Sequence, residues 1–359
     1  PSHIPQLKEI FKGRVSYLQA MKSQVIENFI GNYMGTLQYF KVDPNYMSEF
    51  QSKSYMEAFV KDTTIAKEGV YANSRQASLF VFPDGSYGSG GFTKYITKTV
   101  KKIGLDKKKN TIISYSLNKE LRQALAGDSI EAKLAKLKNY SSLYAESIRT
   151  ILNSHRDGKS VFVYNELVEG SGLILFGLLL DFFGFSRARG NEPLGDYKPR
   201  YVSLTYETAT TNQLKNLINR FNQPDNMRGQ VINVIMGSKK IAEGFSFKNI
   251  QVEDIHTGWY NYSKISQIIA RGNRVGSHRA LIESGAVDIK IDIYQRVSIP
   301  DNGNVKESID VIMYEIAEKK DISIKSVERI MKESAFDCAL NYKRNSVSRL
   351  DGQRDCEYM

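Results

Sequence analysis

Between residues 161 and 299 the chain switches repeatedly between two hydrophobic periods, and this restricts its fold more than any other feature. Short, nearly continuous apolar runs read as strands: VFVYN (161–165), YVSLTY (201–206), VINVIM (231–236), VEDIHTGW (252–259) and VDIKIDIYQRVSI (287–299). Helical patterns separate them, at Gly172 to Phe183, at TNQLKNLINRF (211–221), and where Ile265, Ile268 and Ile269 share one side. Strands buried on both faces and alternating with helices predict an α/β fold with a parallel, doubly wound sheet. The run GLILFGLLLDFFGF (172–185) is shorter than the roughly 20 residues of a membrane span and carries Asp181, so a buried core helix and no membrane partner are expected.

The flanks carry weaker patterns. A strand is expected near TLQYFKV (36–42), and MSEFQSKSYMEAF (47–59) predicts a helix with Ser48 as N-cap. Residues 61–110 show no steady period and are expected as loops, including the glycine-rich DGSYGSGGF (84–92). Leu121, Leu125, Leu134, Leu137, Leu143, Ile148 and Ile151 make the stretch from Ser116 to Asn153 helical. After Ser308, KESIDVIMYEIAEKK and ISIKSVERIMKESAFDCAL predict a mostly helical end.

Composition narrows the partners. Fifty Lys and Arg against 39 Asp and Glu give a formal charge of +11, which favours a polyanion such as DNA or RNA. Two cysteines, Cys338 and Cys356, are too few for a disulfide framework and are expected as ordinary thiols. None of the four histidines stands at zinc-ligand spacing from a cysteine, so no metal site is expected. DGKS (157–160) ends like a phosphate-binding loop, but Asn153 stands where that loop needs glycine, with a helix before it and a strand after. A plain turn is expected there.

The candidate chemistry lies in QIIARGNRVGSH (267–278) and VIMGSKKIAEGFSF (234–247). Read as a helix, the first places Gln267, Arg271 and Arg274 on one face by steps of four and three. The second runs from a strand into a loop of small residues and lysines. A loop and a helix leaving neighbouring strands at the carboxyl edge of a sheet can face one ligand together. A guanidinium brought to a terminal phosphate stabilises the charge that develops on its oxygens during phosphoryl transfer.

QIIARGNR resembles motif VI of superfamily 2 helicases, Gln-x-x-Gly-Arg-x-x-Arg, with Ala270 in place of the glycine, and VIMGSKKIAEGFSF is similar to their motif V. With VFVYNELVEGSGLILFGLLLDFFGF (161–185), FKGRVSYL, MSEFQSKSY, SRQASLFVFPDGS, RGNRVGSH and MYEIAEKKDISIKSVERIMKESAFDCALN, the chain resembles the helicase-like ATPases of large cytoplasmic DNA viruses. That group includes the poxvirus early transcription factor small subunit and nucleoside triphosphate phosphohydrolase I.

The resemblance implies a RecA-like second helicase lobe at 154–300, preceded by the tail of an upstream lobe with a linker strand (1–45) and a helical and loop insertion (46–153), and followed by a helical extension (301–359). It implies Arg274 as arginine finger, with Gln267 and Arg271 approaching the terminal phosphate of ATP and Glu243 and Gly244 near its ribose. Ser238 and Lys239 would contact a nucleic-acid backbone, as Lys107, Lys108 and Lys109 in KKIGLDKKKN could. ATP with Mg2+ would be bound mainly by a first lobe absent from this sequence, so the chain alone is expected not to hydrolyse ATP appreciably. Viral RNA polymerase or transcription-factor subunits are the implied protein partners, and the virion and the host cytoplasm the implied location. The rival expectation is a DNA-binding or transcription-factor module that keeps the fold without catalysis.

Overall fold

The computed structural model describes residues 3–18, 25–64, 71–102, 111–193, 195–205, 210–239 and 245–345. Their strands are β1 (Ile26–Ile30), β2 (Asp43–Tyr46), β3 (Ile96–Lys102), β4 (Thr111–Leu117), β5 (Ser160–Tyr164), β6 (Ser186–Arg187), β7 (Arg200–Leu204), β8 (Val234–Gly237), β9 (Ile250–Ile255) and β10 (Lys290–Ile299). Eight of them form one sheet in the order β1-β10-β9-β5-β8-β7-β6, with β2 also on β10. Every pairing in it is parallel. The fold is therefore the expected α/β parallel sheet, and the buried runs at β5, β7 and β8 follow from helices covering both faces. β10 is long enough to carry β1 along Lys290–Tyr294 and β2 along Arg296–Ile299 in succession. Residues 26–46 thus supply two strands to the same sheet.

The helices are α1 (Ile4–Phe11), α2 (Glu49–Thr64), α3 (Ala72–Leu79), α4 (Gly88–Tyr95), α5 (Lys119–Ala124), α6 (Ile130–Tyr140), α7 (Ser142–Arg156), α8 (Leu173–Phe182), α9 (Thr211–Phe221), α10 (Tyr262–Ile269), α11 (Arg279–Glu283), α12 (Ile309–Ser334) and α13 (Cys338–Asn345). Local signals set several starts. The Ser48 hydroxyl accepts the Gln51 N–H, Thr210 and Gln213 form a reciprocal capping box on α9, and Asn261 caps α10 by accepting from Ser263. The core helix α8 buries every residue from Leu173 to Leu180, and each such Leu or Phe stabilises the fold by about 1.5–3 kcal/mol. It packs in one continuous core with Tyr144, Ile148 and Ile151 of α7, with α5 and α6, and with the sheet residues Val161, Val163, Val234 and Met236.

Three sequence expectations are corrected. TLQYFKV is not itself a strand; the strand expected near it begins only at Asp43, as β2. The backbone N–H groups of Gln38, Tyr39 and Phe40 donate to the Glu318 carboxylate at 2.7–2.8 Å, and that of Thr36 donates to Glu315, so α12 takes the place of a strand partner. Residues 61–110 are not mostly loop. They include α3, whose first turn donates to Asp62 on α2 (Ser74 N–H at 2.7 Å), α4, and the strand β3 of the β3–β4 hairpin. DGSYGSGGF runs into α4, where Gly91 serves close packing. A Cβ on Gly91 would come within 2.1 Å of the Phe82 ring. The part after Ser308 is mostly helical as expected, its two patterns running as one 26-residue helix, α12, followed by α13. Finally, Cys338 is disulfide-bonded rather than an ordinary thiol; Cys356 lies outside the described residues. The DGKS stretch is the expected turn, closed by Gly158 at φ +64°.

Candidate functional site

Helix α10 begins beyond the carboxyl end of β9 and runs back along the sheet, burying Ile265, Ile268 and Ile269 as their spacing predicts. It stops at Ile269, with Ala270 as its exposed C-cap, so QIIARGNRVGSH does not continue as a helix. Gln267, on the last turn, is exposed. Arg271 and Arg274 belong to the turns that follow, and the three side chains do not share one helix face. The helix ends because the chain must approach β9 closely: a Cβ on Gly272 would lie 2.2 Å from Glu253 Oε1 and 3.1 Å from Ile250 Cβ. Ala270, in place of the motif glycine, is the residue that caps the helix.

These turns lie against the amino end of β9, not at the carboxyl edge as expected. The Phe247 N–H donates to the Arg271 carbonyl at 3.0 Å, the Asn249 N–H to Ser277 at 3.1 Å, and the buried His278 ring donates from Nε2 to the carbonyl of Ile250, the first residue of β9. Arg271 Nη1 reaches the Phe245 carbonyl at 3.3 Å, and Arg274 Nη1 donates to the Ser246 hydroxyl. The guanidiniums therefore sit on the tail of the segment that leaves β8. Arg271 is half-buried and Arg274 exposed, and Arg274 makes no ion pair among the described residues. Beneath them Glu253 is fully buried, and burial, reinforced by the charge of Glu27, pushes its carboxyl well above the usual range.

At the opposite edge, Ser238 is buried and Lys239 exposed just past the end of β8. Lys239 Nζ lies 6.0 Å from the centre of the Trp259 ring, which follows β9. Trp259 also carries Lys264 Nζ at 3.7 Å and the Arg75 guanidinium at 5.1 Å, and Tyr260 carries Lys320 at 4.6 Å. The two rings pack on each other with centroids 4.6 Å apart. Lys264 donates to Glu166 at 2.7 Å; burial lowers its pKa, Glu166 works against that, and the charges of Lys239 and Arg75 lower it further. The sequence patterns singled out Lys239, but nothing in them pointed to Arg75, Lys264 or Lys320, which meet only through the fold. Glu243 and Gly244, and Lys107, Lys108 and Lys109, lie outside the described residues. Among those described, no group of His, Cys, Asp or Glu could hold a metal ion, and no helix is long and apolar enough to cross a membrane.

No protein-family profile matches the chain. It is 41% identical over 355 residues to the protein named helicase 087L of Invertebrate iridescent virus 3, covering 98% of this chain and 34% of that protein. It is 33% identical to the protein named helicase 009L of Frog virus 3, covering 98% of this chain and 33% of that one. Nucleoside triphosphatase I of Melanoplus sanguinipes entomopoxvirus is 28% identical over 295 residues, covering 80% of this chain and 41% of its own length. The chain spans about a third of the length of the first two relatives.

Proposed function

This chain is a homologue of helicases of large DNA viruses along almost its whole length, and on that premise we propose that it forms the second RecA-like lobe, with its insertion and extension, of an ATP-driven superfamily 2 helicase or translocase. The observation that carries this reading is the placing of two sets of candidate residues: Ser238 and Lys239 stand just past the carboxyl end of β8, and Arg271 and Arg274 hold Phe245 and Ser246 at the amino end of β9. Candidate strand contacts and candidate phosphate contacts thus lie at opposite edges of the sheet, joined by α10, which begins beyond the carboxyl end of β9 and ends just before Arg271.

In this reading the nucleotide brings a terminal phosphate whose oxygens gain charge as it transfers, and its Mg2+ travels with it, held mainly by a first lobe for which the greater length of the relatives leaves room. The exposed Arg274 offers its guanidinium to that phosphate as the finger, Arg271 braces the turn while reaching toward the same group, and Gln267 stands one turn back on α10. Glu243 and Gly244 would approach the ribose. Ser238 and Lys239 would meet the phosphates of DNA or RNA. Viral RNA polymerase or transcription-factor subunits, and the virion and cytoplasm as location, belong to the same proposal, as does the inactivity of the chain without a first lobe.

The test is ATP turnover by the chain joined to its natural upstream half. Replacing Arg274 by Ala should lower kcat on the order of a thousandfold, the scale of an arginine finger. Turnover within a few-fold of the unsubstituted protein would reject the assignment.

A further inference from the structure

Four cations from four separate parts of the chain converge on one aromatic pair at the carboxyl edge. Arg75 comes from α3 in the insertion, Lys239 from the end of β8, Lys264 from α10 and Lys320 from α12 in the extension. Arg75, Lys239 and Lys264 surround the Trp259 ring at 5.1, 6.0 and 3.7 Å, and Lys320 lies 4.6 Å from the neighbouring Tyr260 ring. Glu166 pairs with Lys264 alone. Arg75, Lys239 and Lys320 make no ion pair among the described residues.

Cation–π attraction offsets only part of this crowding, about 0.5–1 kcal/mol per exposed pair. Folding gains little by gathering like charges this way, whereas an anionic ligand gains from all of them. The indole face lies under Lys264 and the guanidinium of Arg75, so it holds cations instead of offering itself to a base. The cations extend over two adjacent rings, which suits a series of phosphates better than a single ion.

Building on the nucleic-acid reading of this edge given above, we propose that the Arg75–Lys239–Lys264–Lys320 cluster grips the phosphodiester backbone of a single nucleic-acid strand, with Trp259 as the spacer that sets the cations in place. The inserted segment and the C-terminal extension both become parts of the strand site. Neutralising phosphates in this way releases counterions and carries no base preference.

The experiment is a salt series of anisotropy titrations with labelled oligothymidylate and oligoadenylate, comparing the chain with Arg75→Ala/Lys320→Ala and with the charge-keeping pair Arg75→Lys/Lys320→Arg. The alanine pair should weaken both oligonucleotides alike and reduce the slope of log affinity against log salt by about 1.4, near 0.7 for each single-strand phosphate that is no longer neutralised. The charge-keeping pair should restore most of the slope, which separates the removal of a charge from damage to the fold. An unchanged slope with strands still bound overturns the proposal, as does a weakening confined to one base composition. Wild-type chain that binds inorganic polyphosphate but neither oligonucleotide overturns the assignment to a strand. The Arg274 turnover assay reads the opposite edge, so either conclusion can fail while the other stands.

Discussion

Arg296 shows at the scale of one residue how a buried charge fixes the interior. Its guanidinium, almost fully buried, donates from Nε to Asp254 at 2.5 Å, from Nη1 to Asp43 at 2.8 Å and from Nη2 to Thr150 at 2.8 Å. Asp254 also accepts from Ser147 at 2.7 Å, and the Ser147 hydroxyl lies 2.8 Å from His256 Nε2. Burial alone would raise the Asp254 carboxyl, but Arg296 and then His256 outweigh it and hold the group well below its ordinary range. Asp43, which Arg296 meets at one atom only, stays raised because burial outweighs the same guanidinium. A folded-state pKa below the unfolded one gives Asp254 a stabilising share that is complete above about pH 4 and is lost as the pH falls further. Asp254→Asn should therefore cost about 3–5 kcal/mol in urea unfolding at neutral pH, because it leaves Arg296 buried with its charge uncompensated on that side. The difference from wild type should shrink below about pH 4. An equal loss at both pH values would rule out this electrostatic account.

Among the elements, the 36–42 connection and α12 illustrate why local patterns mislead. TLQYFKV has the composition of a strand, yet three successive N–H groups close on one carboxylate, Glu318, nearly 280 residues away in sequence. Removing that acceptor strands donors of which one, on Phe40, is buried, at about 1–3 kcal/mol for a buried group left unsatisfied. Glu318→Ala should destabilise the chain by about 3 kcal/mol and remove hydrogen-exchange protection at Gln38, Tyr39 and Phe40. Protection that persists at those three amides would show that the carboxylate does not hold the segment. The α3 helix is the same case in reverse. Its start has Tyr71 in the left-handed region and no side-chain cap of its own, and the missing acceptor comes from Asp62 on α2. By contrast, α9 was legible to the residue, because Thr210, Gln213 and the 3.6-residue period of Leu214, Leu217, Ile218 and Phe221 are all local.

Across the whole molecule, residues 46–153 and the large sheet share a core. Leu121, Leu134, Leu137, Tyr144, Ile148 and Ile151 belong to the cluster that contains α8 and the inner residues of β5, β8 and β9. Residues 26–46 are tied to the same sheet through β10. Calorimetry should therefore show one unfolding transition for the insertion and the sheet together. Two separated transitions would mean that residues 46–153 fold on their own.

Local pattern alone dictated the alternation of buried strands and helices, the parallel sheet that this alternation requires, the burial of α8, and the inward faces of α9 and α10. Each of these is a periodicity of about two or 3.6 residues, and periodicity is written in neighbouring residues. It took the folded chain to place Arg271 and Arg274 at the amino end of β9, because α10 stops where Gly272 meets Glu253 and Ile250, a meeting of segments well separated in sequence. The same holds for Arg75, Lys239, Lys264 and Lys320 around Trp259 and Tyr260. Their spacing in the chain has no period, and they become neighbours only when the sheet edge, the insertion and the extension pack together.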